Sequence, residues 1–84
     1  MSDEFQIKVR NVFVPLIQSI VDKPEKVQME MHQGEQTYVF EVKVDKSDIG
    51  KVIGKEGRMA KSLRLFLYSL SSKHQKRSVL EIVE

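Results

Sequence analysis

Cysteine and tryptophan are absent from this 84-residue sequence, proline occurs twice and glycine four times. Without cysteine there are no disulfides to staple a small fold and no thiolate sites for a metal. A chain of this size buries only about 60% of the surface its unfolded form exposes, so its stability must come from the apolar core or from a partner that extends it. No apolar run approaches the ~18 residues of a membrane span. The start, Met1-Ser2-Asp3-Glu4, lacks the basic and apolar stretches of a secretory signal. The expectation is a single cytoplasmic domain over residues 1–84, with no membrane contact.

Catalytic and metal-binding patterns are missing too. His32 and His74 lie far apart, with no H-x-x-x-H spacing, so no metal is expected. No serine, histidine and acid are arranged to activate a nucleophile. The G-x-x-x-x-G-K-[ST] phosphate loop is absent. An enzyme, a cofactor and a small-molecule substrate are therefore not expected. The aromatics are two tyrosines and four phenylalanines. Phe5, Phe13, Phe40 and Phe66 read as core, which leaves no platform of stacked aromatics for bases.

What the chain does carry is an uneven charge. Residues 1–42 hold four basic and seven acidic side chains, and residues 78–84 add only Glu81 and Glu84. Residues 43–77 hold ten Lys or Arg against Asp45, Asp48 and Glu56. A segment with a balance of +7 in a chain of net charge +2 points to a localised anion-binding face. Solvated lysines snorkelling from a helix are the alternative.

Apolar spacing predicts the elements. Phe5, Val9, Val12, Phe13, Leu16, Ile17 and Ile20 recur at three and four residues, a helix over 3–22 with Asp3 and Glu4 in its first turn. Pro15 is expected to kink or restart it. Val27, Met29 and Met31, then Tyr38, Phe40, Val42 and Val44, alternate with polar residues as a hairpin over 27–44, turning at Gln33-Gly34-Glu35. Ser47 or Asp48 caps a short helical turn, and Asp45 and Asp48 together are read as caps of it that also balance nearby lysines. A long helix follows from Arg58 to Ser72, with Leu63, Phe66, Leu67, Leu70 and Met59 or Ala60 on its apolar face. Residues 79–83 close the chain as a strand. The order α-β-β-α-α-β, with a right-handed crossover between the second and third strands, implies an α+β fold. It has a three-stranded mixed sheet with helices on one face.

The segment Asp48-Ile49-Gly50-Lys51-Val52-Ile53-Gly54-Lys55-Glu56-Gly57-Arg58 joins two helical stretches through a G-x-x-G turn. Here the sequence resembles the KH family, whose signature is an I-G-x-x-G loop between two helices, in the type II arrangement. It is similar in particular to the small stand-alone bacterial KH proteins of the KhpA type. The shared features are the apolar N-terminal helix, Asp22-Lys23-Pro24-Glu25, the D-x-G-K-V-I-G-K-x-G-R run, Ala60-Lys61-Ser62-Leu63-Arg64, and the strand Val79 to Val83.

That resemblance implies binding of single-stranded RNA, with about four nucleotides clamped by the loop. Phosphates must approach main-chain N–H groups, and a side chain at Gly54 or Gly57 obstructs that approach or forbids the backbone angles. The loop also leads into a helix N-terminus, which favours anions. The expected contacts are Gly50, Lys51, Ile53, Gly54, Lys55, Glu56, Gly57 and Arg58, with Lys61 and Arg64 extending the field. Ile49, Val52 and Ile53 are expected to floor the site, and residues 38–44 to supply base-edge hydrogen bonds. Glu56 offsets Lys55, so its carboxylate is expected to weaken binding without abolishing it.

Leu65 and Tyr68 fall on the polar side of the long helix. They are either isolated exposed apolar residues or, with Ala60, a subunit contact. The resemblance implies a homodimer and a heterodimer with a larger KH-containing protein. Two functions follow. One is an RNA chaperone or post-transcriptional regulator; the other is an interaction subunit with weak RNA contact. The resemblance brings cell-wall and cell-shape control to mind.

Overall fold

The structure is a computed structural model that describes residues 4–83. Its elements are α1 (Glu4–Gln18), β1 (Gln28–Gln33), β2 (Tyr38–Lys43), α2 (Ile49–Ile53), α3 (Arg58–Lys73) and β3 (Ser78–Val83). Short 3-10 turns lie at Pro24–Lys26, Lys46–Asp48 and Lys55–Gly57. The sheet order is β1-β2-β3, antiparallel between the first pair and parallel between the second. This is the α+β arrangement with a mixed three-stranded sheet that the spacing implied.

Register explains why the helices cover one face. Met29 stands opposite Val42 and Met31 opposite Phe40, while Phe40 and Val42 pair with Leu80 and Ile82. These side chains point inward with Tyr38 and meet Phe5, Val9, Phe13 and Ile17 of α1 and Leu63 and Leu67 of α3. The intervening residues Glu30, Glu41 and Glu81 form a row across the other face. Strand alternation therefore assigns one face to the core and one to solvent.

Three expectations about the helices change, and a fourth is not reached. Asp3 lies outside the described residues. The first helix ends at Gln18 rather than Asp22. Past that point the main chain closes tight turns, with Ile20 and Val21 N–H both donating to the Ile17 carbonyl. The N–H groups of Asp22 and Lys23 go to the Asp48 carboxylate instead of continuing the helix. Pro15 does not restart α1, which runs through it. Pro15 and Asn11 are both exposed, so the lost hydrogen bond falls on the solvent side. Phe66, expected in the core, is 45% exposed, although its ring lies 5.5 Å from that of Phe13.

The turns are held by side chains. Of the caps expected, Asp45 closes the turn before α2 by accepting from Ser47 N–H and Oγ at 3.0 and 2.6 Å. These two bonds, helped by Lys23, hold its carboxyl below the ordinary value. A depressed folded value stabilises above the unfolded pKa and is lost as pH falls through the folded one. The cap is therefore an acid-sensitive contact, weakening below about pH 4. The hairpin turn lies one step later than expected, with Gly34 N–H donating to the Thr37 carbonyl at 2.8 Å. Buried Ser71 is satisfied by the Leu67 carbonyl and the Ser78 hydroxyl.

The two phenylalanines that touch across α1 and α3 differ in burial, so they should differ in cost. Phe13→Ala is expected to lower stability by about 3–5 kcal/mol. Phe66→Ala should cost about 1 kcal/mol, since nearly half its surface is already in water. Urea titration followed by circular dichroism measures both.

Candidate nucleic-acid interface

α2 is five residues long and ends where Gly54 N–H donates to the Gly50 carbonyl at 2.8 Å. Gly54 then takes φ 80° and ψ 172°, Glu56 φ 55° and Gly57 φ 75°. Three positive φ values within four residues reverse the chain between α2 and α3. The turn is closed by Gly57 N–H donating to the Gly54 carbonyl at 3.1 Å. No side chain caps the N-terminus of α3, so its first turn offers N–H groups to an incoming anion.

The glycines serve different ends. A methyl group on Gly54 would stand 2.6 Å from Met59 Cβ and 2.8 Å from its backbone nitrogen. The start of α3 therefore packs directly on this residue. At Gly57 nothing lies within 4 Å, and only the left-handed backbone favours glycine. Gly50 has open space and an ordinary helical backbone; the fold asks for no glycine there.

Cations around the turn divide into free and engaged. Lys55 and Lys61 are exposed and make no ion pair among the described residues. Arg58 is exposed but lies 3.7 Å from the Glu56 carboxylate. Lys51 reaches back to Asp22 at 3.2 Å and Asp48 at 3.9 Å. Arg64 leans the other way, its Nε donating to the Leu80 carbonyl at 3.4 Å. Of the five expected cations, the fold brings Lys55, Arg58 and Lys61 to the turn and start of α3 without a tie to another element. Lys51 is tied to the segment after α1 and Arg64 to β3.

The apolar floor is also smaller than expected. Val52 is fully buried in the core, leaving half-buried Ile49 and exposed Ile53 on one side of α2. Residues 38–44 fit poorly as a source of base-edge main-chain contacts, because β2 is the central strand and pairs on both sides. The strand packed against α2 and α3 is β3, an edge strand.

Comparison with known proteins agrees with this geometry. The family model described as KhpA/KhpB, KH domain, matches residues 13–82. The chain belongs to the KhpA/KhpB KH-domain family. Its relatives include the RNA-binding protein KhpA of Chlamydia pneumoniae, 46% identical over 69 residues, which cover 82% of this chain and 88% of that protein. KhpA of Aquifex aeolicus is 48% identical over 65 residues, 77% of this chain and 82% of the relative. KhpA of Clostridium acetobutylicum is 40% identical over 75 residues, 89% of this chain and the whole of the relative.

Three placements escaped the sequence of this KhpA/KhpB-type domain. Asp48, read as a cap balancing nearby lysines, is fully buried. Its place one helical turn before core Val52 was the available signal. Ala60, offered both for the apolar face of the helix and for a subunit contact, is 3% exposed and packed inside its own domain, which fits the first, while Leu65 and Tyr68 are 65% and 66% exposed. His32, weighed only against His74, stands 3.9 Å from Glu30 and 3.8 Å from Glu41 on the sheet face away from the helices. Those three side chains form an exposed cluster of potential metal-ligating atoms. No helix among the described residues is long and apolar enough to cross a membrane.

Alanine at each glycine checks the division of roles. Gly50→Ala should raise stability by roughly 0.5–1 kcal/mol, and Gly57→Ala should lower it by about 1–2 kcal/mol. Gly54→Ala carries the same backbone strain plus the clash with Met59, so it should be the most destabilised. Thermal melts of the three variants give the order.

Proposed function

We propose that this chain is a non-catalytic single-stranded RNA-binding protein that clamps the phosphate backbone at the Gly54–Gly57 turn. The observation that carries this reading is the turn itself. Its α3 N-terminus, which no side chain caps, and the cations Lys55, Arg58 and Lys61 lie in a chain whose relatives are named RNA-binding proteins. The Gly54 and Gly57 N–H groups close on the Gly50 and Gly54 carbonyls, so phosphate oxygens approach the other N–H groups of the turn and of the first turn of α3, and Gly50 leaves room for the strand to pass over α2. Ile49 and Ile53 offer apolar contact to bases. With few base contacts, sequence preference is low. The resulting role is that of an RNA chaperone or post-transcriptional regulator.

One such turn engages few phosphates, so useful affinity requires two linked sites. Leu65 and Tyr68 on the solvent side of α3 support a homodimer or a heterodimer with a larger KH-containing protein. A second reading, in which the domain serves mainly as an interaction subunit, draws on the same two residues and on Glu56, which already occupies Arg58.

Titration with short unstructured oligonucleotides at several salt concentrations tests the first reading. Three phosphates engaged per domain give a slope of log K against log salt of about −2. Changing Lys55 and Glu56 together to Asp should cut affinity more than tenfold while the melting temperature holds. Glu56→Lys should tighten binding severalfold, and Gly50→Ala should weaken it in a fold that is no less stable. An unaltered affinity in all three variants would remove the turn from the RNA site.

The dimer is tested separately. Leu65→Glu with Tyr68→Glu should convert a dimer to a monomer in sedimentation equilibrium and lower RNA affinity at least tenfold through lost avidity. A loss of cellular phenotype confined to this variant, with the Lys55/Glu56 variant silent, would favour the interaction-subunit reading.

A further inference from the structure

Asp48 is fully buried, yet it is an acid in a domain of 84 residues with little core to spare. Its carboxylate oxygens accept the main-chain N–H groups of Asp22 at 3.1 Å and Lys23 at 3.0 Å. The cation nearest to it is Lys51, one turn further along α2, at 3.9 Å. The same ammonium lies 3.2 Å from the Asp22 carboxylate. Two side chains from α2 and its cap thus grip the short segment that follows α1. An apolar residue at position 48 would avoid the desolvation of a buried charge. It would also strand two buried-side N–H groups that the chain has turned away from helix.

Position matters as much as partners. Asp48 stands at the N-cap of α2 and Gly54 at its C-cap. Between them α2 is a rod about 7.5 Å long. Val52 anchors it in the core with half-buried Ile49 packed beside it, but a single apolar anchor point within one helical turn leaves the rod free to pivot. Asp48 supplies a second fixed point, and the pair of anchors sets the direction in which the turn after α2 faces. Asp48 is fully buried and so does not stand on the surface with exposed Lys55 and Arg58; its action on a ligand is indirect.

We propose that Asp48 is the positioning residue of the Gly54–Gly57 turn, tying α2 to the main chain of residues 22 and 23, with Lys51 as a second strand of the same tie. This deepens the proposed function and rests on it for the RNA arm only. Lys51 is then a brace of the site and not one of its phosphate ligands.

Asp48→Asn keeps the shape but turns one acceptor into a donor against a main-chain N–H. Two measurements read the consequence. In the free protein, hydrogen exchange at the Gly54 and Gly57 amides should speed up at least tenfold, while β2 amides follow only global stability. In the RNA titration, affinity should fall about tenfold under conditions where the variant is folded. Val9→Ala, a core change in α1, is the control: it should lower β2 protection but leave the turn amides and RNA affinity unchanged. If Asp48→Asn does not fold, Lys51→Met takes its place and should speed Gly54 exchange severalfold.

Unchanged exchange at Gly54 and Gly57 in a folded Asp48→Asn, or in the substitute Lys51→Met, would overturn the proposal. So would an equal affinity loss in Val9→Ala, which would reduce the effect to stability. Failure of the unaltered protein to bind RNA would instead overturn the functional reading, and the exchange data would still decide the tie.

Discussion

At Gly54 the start of α3 comes so close that a β-carbon would stand 2.6 Å from that of Met59. This contact fixes several things together. It brings α3 against the end of α2, and with it the exposed helix start. It requires the turn to pass through left-handed backbone. It also leaves positions 54 and 57 of the turn without side chains. A looser junction would let a bulkier residue in and cover the groups that give the turn its chemistry. Packing and the proposed recognition therefore share one steric condition, which gives a weak pattern such as G-x-x-G meaning when an isoleucine-rich helical turn precedes it.

Around that turn the charges are arranged less simply than the sequence total implies. A run with a balance of +7 reads as an uninterrupted cationic face. In the fold, Arg58 is offset by Glu56, Lys51 by Asp22 and Asp48, and Arg64 is directed at a main-chain carbonyl of β3. Exposed pairs such as Arg58 and Glu56 are weak in salt water, so a phosphate can displace the carboxylate at small cost. Lys51 differs because it partly compensates a buried carboxylate. Its removal to a ligand would leave Asp48 with main-chain amides alone. The local acids thus tune the proposed affinity downward at Arg58 and commit Lys51 to structure.

Much of this was legible in the sequence. Alternation at Tyr38, Phe40 and Val42 fixes the central strand's inner face, and the Phe5–Val9–Phe13–Ile17 spacing fixes the buried side of α1. The turn was legible because glycine spacing and flanking helical pattern coincide. Long-range polar contacts were not. Asp48 meets residues 25 and 26 positions away, and no local period reports a partner at that distance. Phe66 misled because its spacing suits the core face, whereas the α1–α3 crossing leaves it beside Phe13 at the surface. Ala60 misled in the opposite sense: a small residue fits a close approach, but here the approach is made by its own domain.

The division of labour along α2 follows from its length. A long helix could hold its direction by many apolar contacts, but this one has a single fully buried side chain, Val52. Polar ties must supply the remaining constraint, and they cost less when their partners are main-chain N–H groups already released from helix α1. The early end of α1 at Gln18 and the buried acid at position 48 are thus two halves of one arrangement. The first frees the donors, and the second uses them to set α2, so that Gly54 meets Met59 at the distance that keeps the turn bare.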